Sequence, residues 1–99
     1  MIKSINDNWA KANGTSLIGY ITTTYAALRE KLGEPQTHGD KTTAEWCLEF
    51  QDGAVATIYD WKCSETPLHV YDWHIGGQGV GVMRQVQDLL GAPVTRCSY

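Results

Sequence analysis

Two four-residue runs, Tyr59-Asp60-Trp61-Lys62 and Tyr71-Asp72-Trp73-His74, repeat the order aromatic, Asp, Trp, cation twelve residues apart. Tyr and Trp offer flat apolar area with a hydrogen-bonding tip, and Lys with His can meet an anion. The pair therefore has the composition of a site that stacks a ring and neutralises a phosphate. The second run leads directly into Ile75-Gly76-Gly77-Gln78-Gly79-Val80-Gly81. Read as a turn between a strand and a helix, this segment presents backbone N–H groups and the positive end of a helix dipole to an anion. It has neither the Lys-Ser/Thr of a P-loop nor G-x-G-x-x-G spacing, so it does not define a nucleotide fold by itself. The candidate ligand-binding residues are Tyr59, Trp61, Lys62, Tyr71, Trp73, His74, Gly76, Gly77 and Gln78. The sharpest form of the expectation places an anion where Lys62, His74 and the 76–79 turn converge, with Trp61 or Tyr71 stacking on a base.

Catalysis is not indicated. His38, His69 and His74 lack metal-ligand spacing, there is no G-x-S-x-G elbow, and no cysteine has an evident base partner. Asp60 with Asp72 is the one carboxylate pair suited to a hydrolytic site. No cofactor and no metal are expected.

The elements that must position these residues are legible in outline. Ile2, Ile5, Trp9 and Ala12 recur at helical spacing, which predicts a short helix or an extension over residues 1–13. Leu17 to Ile21 reads as a strand, and Thr22, Thr23 and Thr24 offer N-cap hydroxyls to a helix over 24–32 that Gly33 and Pro35 stop. Gln36 to Thr42 is a polar loop. Thr43 to Phe50 alternates, Asp52-Gly53 turns the chain, and strands over 54–62 and 70–75 follow. Val82, Met83, Val86, Leu89 and Leu90 then share one face of a helix over 80–90.

Three or four strands with two one-sided helices predict a single α+β domain over residues 1–99. Its form is a two-layer sandwich, a small antiparallel sheet with two helices packed on one face. A more open sheet completed by a second copy is the alternative, since so small a domain gains core by pairing. A homo-oligomer is therefore expected.

The hairpin leaves one question open on which the site depends. A two-residue Asp52-Gly53 turn sets Trp46 opposite Tyr59 and buries all the aromatics. A three-residue Gln51-Asp52-Gly53 turn with a glycine bulge pairs Trp46 with Ile58 and Phe50 with Ala54. Tyr59 and Trp61 then lie on the outer face beside Glu45, Cys47 and Glu49. Core packing of the aromatics and a solvated ladder of charges is the competing reading of the whole constellation.

Composition bounds the partners. A net charge of -3 with scattered Lys and Arg gives no footprint for a nucleic-acid polymer, and the mild acidity argues against a DNA mimic. No apolar run approaches membrane-spanning length, and no signal stretch opens the chain, which leads to the expectation of a protein that stays where it is made. Three dispersed cysteines fit a reducing cytosol better than a disulfide framework.

Several of these segments also carry a resemblance. Gly14-Thr15-Ser16-Leu17-Ile18-Gly19-Tyr20, Leu32-Gly33-Glu34-Pro35, Lys41-Thr42-Thr43-Ala44-Glu45-Trp46, Ala56-Thr57-Ile58-Tyr59-Asp60-Trp61-Lys62 and Tyr71-Asp72-Trp73-His74-Ile75-Gly76-Gly77 together are similar to a family of small proteins encoded by tailed bacteriophages. The match runs from about residue 14 to residue 90, and Cys63, Gly79 and Gly81 depart from it. The resemblance implies a setting in the cytoplasm of an infected host. It also implies a role in blunting host defence, by sequestering a nucleotide-derived immune signal or by binding a host defence protein through an aromatic sheet face.

Overall fold

The computed structural model describes residues 2–7, 9–36, 41–78 and 81–97. Its elements in chain order are β1 (Ile2–Ile5), a 3-10 helix (Trp9–Gly14), β2 (Ser16–Thr23), α1 (Tyr25–Leu32), β3 (Glu45–Phe50), β4 (Val55–Tyr59), β5 (Tyr71–Gln78), α2 (Val82–Leu90) and β6 (Val94–Arg96). The six strands form one antiparallel sheet in the order β1-β3-β4-β5-β2-β6. The α+β sandwich with both helices on one face is what the structure shows, with more strands than the alternation alone reveals. The expected polar loop over 36–42, the start of the last helix at Val80, and the candidates His38 and Gly79 fall wholly or partly outside the described residues.

The hairpin takes the three-residue turn. Phe50 donates to the Ala54 carbonyl at 2.9 Å, Gly53 donates back to the Phe50 carbonyl at 3.0 Å, and Gly53 has φ 91, a left-handed conformation that suits a residue without Cβ. Trp46 then pairs with Ile58 and Cys47 with Thr57. Trp46, Leu48, Phe50, Ile58, Ile75, Trp73 and Ile21 fill the inner face and are buried to 2 % exposure or less. On that face α1 contributes Leu28 and Leu32, and α2 contributes Val82, Met83 and Val86. Trp46 donates its indole N–H to the Gly33 carbonyl at 2.9 Å, which ties the end of α1 to the centre of the sheet.

The expected N-terminal helix is instead a strand followed by a 3-10 turn. The cause is a bulge between Ile2 and Ser4, which sets Ile2 against Phe50 and Ile5 against Leu48. A spacing of three that looks helical thereby keeps both isoleucines near the core in an extended chain. β4 stops at Tyr59 rather than running to residue 62, because Asp60 turns inward. Its carboxylate accepts from the Thr43 N–H at 2.6 Å, the Ala44 N–H at 3.1 Å and the Thr43 hydroxyl, and the side chain is fully buried. β6 was not expected; three residues after a proline give no periodic signal.

Gly76, Gly77 and Gln78 are strand and not turn, while Gly81 is a turn residue with φ 77 that caps the start of α2. Gly76 pairs with Thr57 and Leu17, Gly77 with Ala56 and Ser16, and Gln78 with Val55, so this backbone lies in the sheet ladder. Close approach explains the missing side chains. A Cβ on Gly76 would overlap the Thr57 hydroxyl and lie 3.2 Å from Thr15 Oγ1, and one on Gly77 would run into Ile18 and stand 2.9 Å from Val82.

The crowding at Gly76 follows from topology. β1 lies beside β3 and β2 beyond β5, so the connection between them crosses the outer face of the sheet, where the 3-10 helix packs on β4. Asn6 sets its entry. Held at φ 59, it donates to the Cys47 carbonyl at 2.7 Å and accepts from the Cys47 N–H at 2.8 Å through its side chain. A methyl group at the crossing has nowhere to go. Gly76→Ala should therefore lower stability by about 1–3 kcal/mol, the usual cost of overpacking, seen as a lower urea midpoint with an unchanged slope. A midpoint equal to the wild type would contradict the close crossing.

Candidate functional site

The three-residue turn puts Glu45, Tyr59, His74 and Tyr20 in one row across the outer face, on β3, β4, β5 and β2. Their rings form a continuous cluster. Tyr59 and His74 have centroids 5.3 Å apart, Tyr20 meets His74 edge-on at 5.0 Å, and Trp61 lies 6.2 Å from Tyr59 and 6.5 Å from His74. Trp61 is 43 % exposed, and Lys41 Nζ stands 5.8 Å from its ring centroid. An exposed indole beside a cation is a surface on which a planar ring can stack.

Next to this row the crossing segment leaves a groove of about 250 Å³. Ala12, Thr15, Ser16 and Leu17 form one bank, Thr57 and Gly76 the floor, Thr42 and Glu45 the opposite bank, and Tyr59 with Trp61 the end wall. The Thr42 bank is held by Asp60, whose carboxylate fixes the backbone of the next two residues. The Lys62 N–H donates to the Lys41 carbonyl at 2.7 Å and closes the same loop. Among the described residues, four aliphatic hydroxyls, the Tyr59 phenol and one carboxylate thus surround a slot with an aromatic end. Such a lining reads hydrogen-bond donors and sugar hydroxyls and excludes bulky apolar groups.

The expected site residues divide. Tyr59, Trp61, His74 and Gly76 come together on the outer face, as the longer turn requires. Trp73 is fully buried on the inner face, stacked with Tyr25 at 6.4 Å and edge-on to Tyr71 at 5.3 Å. Tyr71 serves the loop after β4. Its hydroxyl accepts from the Trp61 N–H at 3.3 Å and from the Cys63 thiol at 3.7 Å, and burial pushes its phenol up to about 12. Gly77 faces Ile18 and Val82, and Gln78 is exposed at the end of β5. Lys62 is exposed past the strand end in a left-handed conformation and is not among the residues lining the groove. The convergence of Lys62, His74 and glycine N–H donors on one anion is not the arrangement found, because the Gly76 and Gly77 backbone is engaged in the ladder.

Lys41, Thr42, Glu45, Thr57, Thr15 and Ser16 were not among the expected residues. Glu45 and Thr57 follow from the correct register, since both share the face of Tyr59. Thr15 and Ser16 arrive by way of the crossing segment, which no local pattern announces.

His74 Nδ1 is buried without a hydrogen-bond partner. Burial holds the imidazole below its ordinary value, while Asp60 and Asp72 pull the other way. A histidine less basic folded than unfolded takes up its proton preferentially when unfolded, so stability falls as pH drops below about 6.5 and levels off beneath the folded value. In urea unfolding at pH 7.5 and 5.5, His74→Phe should lose less stability on acidification than the wild type. Equal losses would show that the imidazole is not the group responsible.

Among the described residues no cluster of His, Cys, Asp or Glu could hold a metal ion, and no helix is long and apolar enough to cross a membrane. No family model, curated protein or solved structure matches this chain, so the reading of the site stands on its own geometry.

Proposed function

We propose that this chain is a phage-encoded, non-enzymatic binding protein that sequesters a nucleotide-derived signal of host defence in the cytoplasm of the infected cell. The observation that carries the proposal is the exposed indole of Trp61, with Tyr59, closing one end of a hydroxyl-lined groove. Stacking a base on such a surface contributes about 1–3 kcal/mol. The groove is smaller than the roughly 300–1,000 Å³ of sites that engulf a whole ligand, so it suits a base with its sugar. Lys41 beside Trp61 then supplies the cation for a phosphate at the mouth. In this reading the protein is a homo-oligomer, with the open sheet edges β1 and β6 as the places where a second copy would add.

A specific observation favours a second reading, in which the target is a host defence protein. Leu68 and Val70 are 74 % and 61 % exposed in the β4–β5 loop that also carries Trp61, and such apolar side chains suit a docking patch. Two variants separate the readings. Calorimetric titration with a panel of cyclic and ADP-ribose-type nucleotides should give saturable heat for the wild type. Trp61→Ala should weaken binding by about tenfold, the scale of one lost base stack, while Leu68→Ser leaves it unchanged. Absence of heat across the panel, or an affinity indifferent to Trp61, would reject the nucleotide reading.

A further inference from the structure

Trp61 closes the groove from a position two residues beyond β4, where the ladders with β3 and β5 have already stopped at Tyr59. Three successive backbone N–H groups are tethered there by other means. The Asp60 N–H donates to the Ala44 carbonyl at 3.4 Å, the Trp61 N–H to the Tyr71 hydroxyl at 3.3 Å, and the Lys62 N–H to the Lys41 carbonyl at 2.7 Å. The first and third of these run to the segment that leads into β3, and the middle one runs to β5. Continued by two residues, the β4–β5 register would set Trp61 opposite Asp72, and the hydroxyl of the adjacent Tyr71 takes the place of a ladder carbonyl. Of the three tethers this one alone runs through a side chain, so a single substitution removes it and spares the other two.

Tyr71 makes a fixed anchor for that tether. Its ring lies on the inner face, edge-on to the fully buried Trp73 at 5.3 Å, whereas the Trp61 indole lies on the outer face beside Tyr59 and His74. The hydroxyl thus reaches around the strand end and connects the ligand face to the packed core. Burial pushes the phenol up to about 12, which keeps it protonated and an uncharged acceptor at neutral pH. The Cys63 thiol, 3.7 Å from both the Trp61 carbonyl and that hydroxyl, adds a weak second tie at the same place.

We infer that Tyr71 is the positioning residue of the groove, its hydroxyl holding the Trp61 backbone so that the indole stays at the end wall, ready for a base. This rests on the nucleotide reading above and deepens it by naming what sets the strength of the stack. An aromatic on an untethered chain loses conformational freedom when a ring stacks on it, and one fixed beforehand loses less, so the tether raises affinity without touching the ligand. Tyr71, expected as a stacking residue, thus acts one step removed and does not line the groove.

Tyr71→Phe keeps the ring against Trp73 and deletes only the hydroxyl. The panel of cyclic and ADP-ribose-type nucleotides is titrated calorimetrically into the wild type, Tyr71→Phe, Trp61→Ala and the double variant, with circular dichroism to confirm each fold. Tyr71→Phe should weaken the tightest-binding nucleotide about threefold, the scale of one neutral hydrogen bond, and should have no further effect once Trp61 is alanine. A hydroxyl of merely structural value would lower affinity by the same factor in both backgrounds. That result, or an affinity indifferent to Tyr71→Phe, overturns the role of Tyr71 and leaves sequestration standing. If Tyr71→Phe does not fold, amide hydrogen exchange on the wild type decides: the Trp61 N–H should exchange far more slowly than an unbonded amide, and free exchange there overturns the inference. Silence of the wild type across the whole panel overturns sequestration and this role together, which sets it apart from a failure of Tyr71 alone.

Discussion

The chain occupies one edge of its sheet with β1 and must reach the far side of β5 for β2, and it makes that journey across the outer face. Any connection laid over a sheet has to find room above the side chains beneath it. Here the room comes from Gly76, whose place is taken by the hydroxyls of Thr57 and Thr15. The crossing buries Cys47 and Thr57 on the outer face to 3 % exposure, as if they were core. It stops short of the next row, where Glu45, Tyr59 and His74 remain partly exposed. The groove is the step between the covered part of the sheet and the uncovered part.

The inner face supplies the rigidity this arrangement needs. Trp46 and Trp73 meet edge-on at 5.8 Å, with Tyr25 of α1 against both rings, so a single aromatic cluster joins β3, β5 and the first helix. Replacing a buried tryptophan of this kind by alanine costs about 3–5 kcal/mol, a large part of the stability of a domain this small. Asp60 does comparable service at the rim. A buried carboxylate is tolerated when hydrogen bonds satisfy it, and its donors come from the loop that carries Thr42 toward the groove. The same residue that ends β4 thus builds one bank of the site.

How much of this was legible from the residues depends on the range of the interaction. Local signals held: the Thr24 cap, which accepts from the Ala27 N–H at 3.2 Å, the one-sided helices, and the alternation from Glu45 to Phe50. The two possible turns at Gln51 to Gly53 divided the outcomes for Tyr59 and Trp61, and side-chain alternation carried the rest of that face. Long-range effects were hidden. The spacing of Ile2 and Ile5 mimicked a helix because a bulge restores their facing. Gly76 and Gly77 mimicked an anion-binding turn because close approach from both faces demands the same residue as a turn does. The echo of Tyr59 to Lys62 in Tyr71 to His74 likewise suggested equivalent strands, yet Asp60 is buried beneath a loop while Asp72 is exposed and accepts from the Thr22 hydroxyl at 2.7 Å.

The account holds that one face of the sheet is for folding and the other, beyond the crossing, for a ligand. The four tryptophans report on this separately, because Trp46 and Trp73 are fully buried on the inner face, Trp9 lies in the crossing segment, and Trp61 closes the groove. Their indole N–H resonances can be followed by nuclear magnetic resonance while the panel of cyclic and ADP-ribose-type nucleotides is added. The account predicts that the Trp61 signal shifts progressively to saturation while those of Trp46 and Trp73 stay in place. A stationary Trp61 signal, with the buried tryptophans responding or none responding, would contradict it.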